Sequence, residues 1–179
     1  MRVNNINISY FKTNFGELLL GSFNNQLCIA DWRYRKMRDS IDQRIQNGLN
    51  AVYREENDGV LEESKNQLNQ YFEGKRTEFS IPLLLIGTDF QKSVWNALME
   101  IPYGKTDSYL GLSKKLKNEK AIRAVASANG ANAISIIVPC HRIIGSKGDL
   151  VGYAGGLTTK MKLLELENPN FNQQMKLIF

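Results

Sequence analysis

Residues 106–130 read TDSYLGLSKKLKNEKAIRAVASANG, and their division decides the fold of the second half of the chain. Asp107 or Ser108 is suited to cap a first helix, because a short oxygen-bearing side chain can accept from the free N–H groups of the opening turn. A short polar turn around Asn118 follows, and a second helix runs to Gly130, a residue type that commonly ends helices. Two short helices across a tight turn form a helix-turn-helix. Many such hairpins bind nothing, so the pattern alone does not establish DNA binding. The second helix, AIRAVASAN, is mostly alanine with Arg123 as its one long polar group. Against DNA it lacks the Asn, Gln and multiple Arg side chains that discriminate base pairs, so binding would depend little on sequence.

Upstream, GTDFQKSVWNALMEIPYGK pairs Thr88 with Gln91 as a capping box, sets Phe90, Val94 and Leu98 on one stripe, and closes at Pro102, which predicts a helix. Downstream, AISIIVP is a β-branched run ended by Pro139, and RIIGSKGDLVGY reads as a hairpin turning at Gly145–Asp149. A hairpin after a helix-turn-helix is a wing. LTTKMKLLELE predicts a last helix with Leu157, Met161 and Leu164 on one face. In the N-terminal half, short apolar stretches in ISYFKTNFGELLLGSFNNQLCIADW, broken by Asn, Gly and Thr, predict a small antiparallel sheet with a tight turn at Asn24-Asn25. Leu61, Leu68 and Phe72 then fall at helical spacings before Gly74, and Pro82 to Gly87 reads as the connection between the halves.

The 179 residues, 42% hydrophobic and 23% charged, can bury one large core or two small ones. No apolar run has signal-peptide or membrane-spanning length, so a cytoplasmic protein is expected. Residues 1–86 carry eleven Lys/Arg and eleven Asp/Glu, whereas residues 87–179 carry twelve and seven, which places the whole +5 excess in the C-terminal half. Such asymmetry suits a polyanion such as nucleic acid, and equally a solubilising surface.

The stretch IVPCHRII, residues 137–144, holds the only histidine, His141, beside Cys140, one of two cysteines. Cys28 is read as a small core residue of the N-terminal sheet, and with one histidine and no paired cysteines neither a disulfide framework nor a zinc site is expected. The thiolate is the reactive form of cysteine, and at neutral pH a free thiol is mostly protonated, so a base is needed. Adjacent side chains diverge in regular backbone, so a bridging water would carry the proton from Cys140 to His141. A carboxylate on the far ring nitrogen would fix the tautomer. Adjacency alone favours a packed, unreactive cysteine.

The flanking residues change that reading. IPYGKTDSY, AIRAVASANGAN, IVPCHRII, GYAGG and LLELE occur in that order, and residues 87–167 resemble, almost without gaps, the O6-alkylguanine-DNA alkyltransferase family, also called methylated-DNA protein-cysteine methyltransferases. The resemblance implies an α/β (α+β) fold: a ribonuclease H-like N-terminal domain, residues 1–86, and a winged helix-turn-helix-like DNA-binding and alkyl-acceptor domain, residues 87–179. It implies direct reversal of O6-alkylguanine, extending to O4-alkylthymine, by one irreversible transfer to Cys140 after the nucleotide is flipped from duplex DNA. His141 would act as base through a water, oriented by Glu167. Asn132 would brace the turn joining the DNA-binding helix to the active-site segment. Tyr109 would rotate the target phosphate and protonate the leaving guanine, since charge develops on the base. Arg123 would fill the gap left by the flipped base from the minor groove. Tyr153 would line the pocket, Lys160 would polarise it, and Ala154, Ile143, Ala124 and Ser127 complete the expected binding set. No cofactor or metal is implied, and a monomer acting on double-stranded DNA, independent of sequence and away from membranes, is expected.

Two departures stand out: Ala133 follows Asn132 where many relatives have proline, and Ala154 follows Tyr153 where some carry a hydroxyl. Two other functions compete. A lesion-flagging alkyltransferase-like protein would lack the acceptor cysteine, which is present. A cysteine hydrolase would bring its thiol and imidazole from different segments, and would have no use for the alanine-rich helix.

Overall fold

Asn24 and Asn25 take left-handed backbone angles, φ 48° and 61°, as a two-residue hairpin turn requires. They join β2 (Gly16–Phe23) to β3 (Gln26–Trp32), and β2 pairs antiparallel with β1 (Asn4–Thr13). The computed structural model describes residues 4–172 and divides after Thr88 into two compact units, so the outermost residues of both expected domains lie outside the described residues. In the first unit the sheet runs β3-β2-β1-β4, and β4 (Ala51–Glu55) lies parallel to β1. The sheet is therefore mixed, not purely antiparallel. The strand that makes it so is reached through α1 (Arg38–Leu49), a helix without a clear sequence signal: only Ile41 and Ile45 are buried on it, and no side chain caps its start.

α1 is held by charge instead. The fully buried carboxylate of Asp31 accepts from Arg35 at 2.8 Å and Arg38 at 2.9 Å, and Arg38 also pairs with Asp42. α2 (Gly59–Phe72) opens on Asp58, whose side chain accepts from Leu61 N at 3.0 Å and also receives Asn7 and Ser22 from the sheet. Its buried face is Leu61, Ser64, Gln67, Leu68 and Tyr71; Phe72 is half-exposed and stacks on Phe15. The segment after Pro82 is more than a connection, because Leu27 donates to Pro82 O and Leu84 to Leu27 O, adding a bridge at the β3 edge. Cys28 is buried in this core, and burial pushes its thiol up to about 12, so it is inert.

The second unit starts with α3 (Asp89–Met99), which buries Val94, Trp95, Ala97 and Leu98, while Phe90 stays 37% exposed. β5 (Asp107–Ser108) leads into α4 (Tyr109–Lys115), capped by Ser108 Oγ, which accepts from Gly111 N at 3.0 Å. Lys117, at φ 56°, breaks the helix, Asn118 N returns to Ser113 O, and after one 3₁₀ turn α5 (Ile122–Gly130) begins. The helix-turn-helix division read from the sequence is the one observed.

Residues 131–139 do not form the strand that their β-branched composition predicts. They fold through successive tight turns, with Ile137 N on Ser135 O, Val138 N on Ile134 O and Cys140 N on Val138 O. Ile136 sits at φ 73°, a conformation costly for a β-branched side chain. Every residue from 132 to 143 is buried.

The expected wing hairpin is also absent among the described residues. After the turn closed by Gly145 N on Asp149 O, no strand returns, and β6 (Ile143–Ile144) pairs parallel with β5. The carbonyls of Ile143 and Val151, which a hairpin ladder could have used, both accept from Lys160 Nζ. Lys160 lies on α6 (Leu157–Glu167), whose buried residues are Lys160, Leu163, Leu164 and Glu167; of the expected stripe only Leu164 is buried, and Leu157 is 48% exposed. Polar partners waiting in the interior have rotated this helix away from its purely apolar face.

Candidate active site and helix face

A 3₁₀ turn, Cys140–Arg142, follows Pro139 and aims three consecutive side chains inward. Cys140 is 3% exposed. Asn132 braces the turn from beneath: its Oδ1 accepts from Ile134 N at 2.9 Å, and its Nδ2 faces Val138 O at 2.9 Å and Cys140 Sγ at 3.2 Å. The same amide thus holds the sulfur and the backbone on either side of the strained Ile136. Ala133 is buried next to it.

His141 is fully buried, with Nε2 2.7 Å from Glu167 Oε1. Arg142 grips the same carboxylate with Nε on Oε2 at 2.9 Å and Nη2 on Oε1 at 3.0 Å, and its Nη1 donates to Ile101 O at 2.6 Å. Gly104 N adds a further donor to Oε2 at 3.2 Å. Burial alone would raise the Glu167 carboxyl, but hydrogen bonds and charge from His141 and Arg142 outweigh it and hold the group well below the usual carboxylate range. For His141 burial dominates over the attraction of Glu167 and pulls the imidazole below 6.5. At neutral pH the pair is therefore an anionic carboxylate and a neutral ring. Glu167 can only accept, so Nε2 carries the ring proton and Nδ1 presents the basic lone pair.

Arg142, Ile101 and Gly104 had no role in the sequence reading. Arg142 stands inside PCHR, and its adjacency to the histidine was the available signal. Gly104 is required by geometry: its φ is 72°, and a Cβ there would lie 2.8 Å from the Glu167 carbonyl oxygen.

Around the thiol stand the remaining polar groups. Tyr109 opens α4; burial, then the negative charge of Cys140, push its phenol up. Lys160 is fully buried, donates to Ile143 O and to Val151 O at 2.8 Å, and burial lowers its amine to about 8 against the opposing pull of Cys140. Tyr153 presents its ring edge-on to His141 with centroids 6.3 Å apart, and Ala154 beside it is half-buried. Ile143 is fully buried in β6, so its carbonyl, not its side chain, is what Lys160 holds.

Arg123, Ala124 and Ser127 form an exposed face of α5, while Val125, Ala128 and Asn129 face the core, where Ala128 O accepts from Trp95 Nε1 at 2.9 Å. This face is small side chains plus one arginine. No group of three His, Cys, Asp or Glu side chains that could hold a metal occurs among the described residues. Nor is any of their helices long and apolar enough to cross a membrane.

Residues 89–169 match the family model of the 6-O-methylguanine DNA methyltransferase DNA binding domain, and residues 6–85 match that family's ribonuclease-like domain. A methylated-DNA--protein-cysteine methyltransferase of Methanosarcina acetivorans is 54% identical over 112 residues, covering 63% of this chain and 72% of the relative. The protein of that name from Mycobacterium leprae is 53% identical over 109 residues, 61% of this chain and 66% of its own length. Among solved structures, Mycobacterium tuberculosis OGT in complex with DNA is similar over 92% of this chain and 93% of that one, with 38% identity and a TM-score of 0.77. With both units matched and the likeness running nearly the full length of a solved relative, the chain belongs to the 6-O-methylguanine DNA methyltransferase family.

Proposed function

We propose that this protein repairs O6-alkylguanine in double-stranded DNA, and O4-alkylthymine with it, by moving the alkyl group irreversibly onto Cys140. The observation that carries this reading is the buried His141–Glu167–Arg142 assembly adjoining the Cys140 thiol, within the unit that carries the small-residue face of α5.

The Cys140 proton passes through a water to Nδ1 of neutral His141, and the resulting imidazolium is stabilised by Glu167. The sulfur attacks the alkyl carbon; the S–C bond forms as the C–O6 bond breaks, and the bonding pair stays on the base. Tyr109 gives its hydroxyl proton to a ring nitrogen, so guanine leaves neutral. The proton held by His141 then returns through solvent to Tyr109. Asn132 keeps the sulfur in place, Lys160 adds positive charge near it, and Tyr153 and Ala154 line the pocket.

Reaching the alkyl carbon requires the nucleotide to leave the stack, which costs a few kcal/mol. Alanine-rich α5 allows close approach in the minor groove, with Ala124 and Ser127 against the backbone, and Arg123 occupies the vacated space. Residues 87–179 carry the chemistry and the DNA contacts of one monomeric protein, and residues 1–86 form the second domain. A thioether is not readily hydrolysed, so each molecule acts once.

Incubation with an oligonucleotide bearing O6-methylguanine, followed by intact mass and peptide mapping, tests this. One added methylene on the Cys140 peptide, saturating at one per protein, is expected, and Cys140→Ala should abolish it while retaining duplex binding. Binding without any mass gain in the wild type would instead identify a lesion-flagging protein.

A further inference from the structure

Asn129 is 5% exposed on the inner side of α5, yet its Oδ1 has no hydrogen-bond partner among the described residues, and its Nδ2 lies 3.5 Å from Tyr109 Oη. Burying an amide with so little compensation opposes folding, so such a group calls for an explanation. Its neighbours in the same unit are better supplied: Asn132, Arg142, Glu167 and Lys160 each make two or more hydrogen bonds.

We propose that Asn129 is a positioning residue for Tyr109: its Nδ2–H donates to the tyrosine oxygen, turns the tyrosine proton toward the substrate, and supports the negative charge that builds as that proton leaves. This rests on the proton-donor role of Tyr109 given above. A phenol oxygen has one proton and two lone pairs. A donor seated on a lone pair forces the proton elsewhere, and the substrate side is where it is needed. The same donor answers a difficulty of the site. Burial and the charge of Cys140 both disfavour a negative Tyr109 oxygen, and the Asn129 hydrogen bond acts in the opposite direction. In the transfer, the Tyr109 O–H bond breaks, its proton goes to the base nitrogen, and the electron pair left on Oη strengthens the bond from Asn129. A separation of 3.5 Å suits a contact that tightens only when substrate is bound.

The experiment is single-turnover transfer to Cys140 from duplex O6-methylguanine, followed by mass, for Asn129→Leu and Asn129→Asp, each with Tyr109 intact and in a Tyr109→Phe background. Asn129→Leu, of similar volume but without a donor, is expected to slow transfer about tenfold, the equivalent of one hydrogen bond in the transition state. Asn129→Asp should slow it further, because an ionised carboxylate accepts only and captures the tyrosine proton. It should also shift the alkaline limb of the pH profile upward. In the Tyr109→Phe background neither substitution should have any further effect. Equal slowing in both backgrounds, or an unmoved pH profile in Asn129→Asp, would overturn the proposal by making the amide merely structural. Should Asn129→Leu not fold, the smaller Asn129→Ala, also without a donor, takes its place in the same cycle. A wild-type protein that transfers nothing sinks the repair reading itself, and a Tyr109→Phe protein as fast as wild type removes only the tyrosine and asparagine roles.

Discussion

The protonation of His141 follows from what Arg142 does to Glu167. Without the guanidinium, a buried carboxylic acid and an imidazole could share one proton in either direction; with two arginine N–H groups on the carboxylate, the anion is fixed and the ring must donate to it. Transfer should therefore rise with pH along a limb set by protonation of His141, below the ordinary 6.5 because burial outweighs Glu167. Since Glu167 is what supports the imidazolium, Glu167→Gln should move that limb lower still and reduce the plateau rate. An unchanged single-turnover pH profile would remove Glu167 from the relay. The same substitution leaves Arg142 charged and buried, at a stability cost of about 3–5 kcal/mol. Acid sensitivity has the same origin. Both folded-state values are depressed, so the stabilisation from Glu167 is complete above its unfolded value of 4.5 and that from neutral His141 above 6.5, and each fades as pH falls toward its lowered folded value. The melting temperature should drop between pH 7 and 4, and the part of that drop below pH 5 should shrink in Glu167→Gln; a midpoint flat over that range would contradict the assignment.

Among the elements, the stretch from the last turn of α4 to the start of α5 combines an ordinary shape with an unusual charge. Lys114, Lys115, Lys117 and Lys120 are all exposed within seven residues, and only Lys115 has an ion-pair partner among the described residues, Asp107 at 3.0 Å. Each lysine that neutralises a phosphate steepens the salt dependence of duplex binding by about 0.9 in log–log slope. Converting Lys114, Lys117 and Lys120 to Gln should flatten that slope by roughly 2–3 and weaken binding alike on all sequences, while reaction with free O6-benzylguanine stays intact. A titration that leaves the slope unchanged would place the duplex elsewhere. These helices were legible because caps, breakers and apolar spacing are local signals: Ser108, Lys117 to Asn118 and Gly130 stand where the ends are observed. The Cys140 turn was not legible as a shape. Its residues, AISIIVP, have strand composition, and what overrides it is Asn132, a single amide that reaches Ile134 N, Ile134 O, Val138 O and Cys140 Sγ and makes an irregular path easier to bury than a strand edge. Likewise α6 turns Lys160 and Glu167 inward, and no local rule announces that two charged side chains seven residues apart will find carbonyls and an Arg-His pair waiting.

At the scale of the whole molecule, the residues of the proposed chemistry and the charge excess fall on one side of the division after Thr88. Cys140, His141, Glu167, Asn132, Tyr109, Lys160 and the α5 face all belong to the second unit, and residues 87–179 hold the entire charge excess, twelve basic against seven acidic side chains. The first unit balances its charge in number and pairs part of it internally: Asp31 with Arg35 and Arg38, Asp42 with Arg38, Glu17 with Arg33. This partition was readable from the sequence as counts, but the internal pairing was not, because Asp31 meets Arg38 only once α1 packs on the sheet. Long-range phosphate attraction follows uncompensated charge, so the second unit should account for nearly all electrostatic binding. A fragment of residues 89–179, shown first to be folded by circular dichroism, should bind duplex DNA with the same salt slope as the full chain, within about one phosphate contact. A slope markedly shallower in the fragment would mean that the first unit, despite its balanced charge, touches the phosphate backbone, and Arg33, half-exposed over the Tyr10 ring, would be the first side chain to replace.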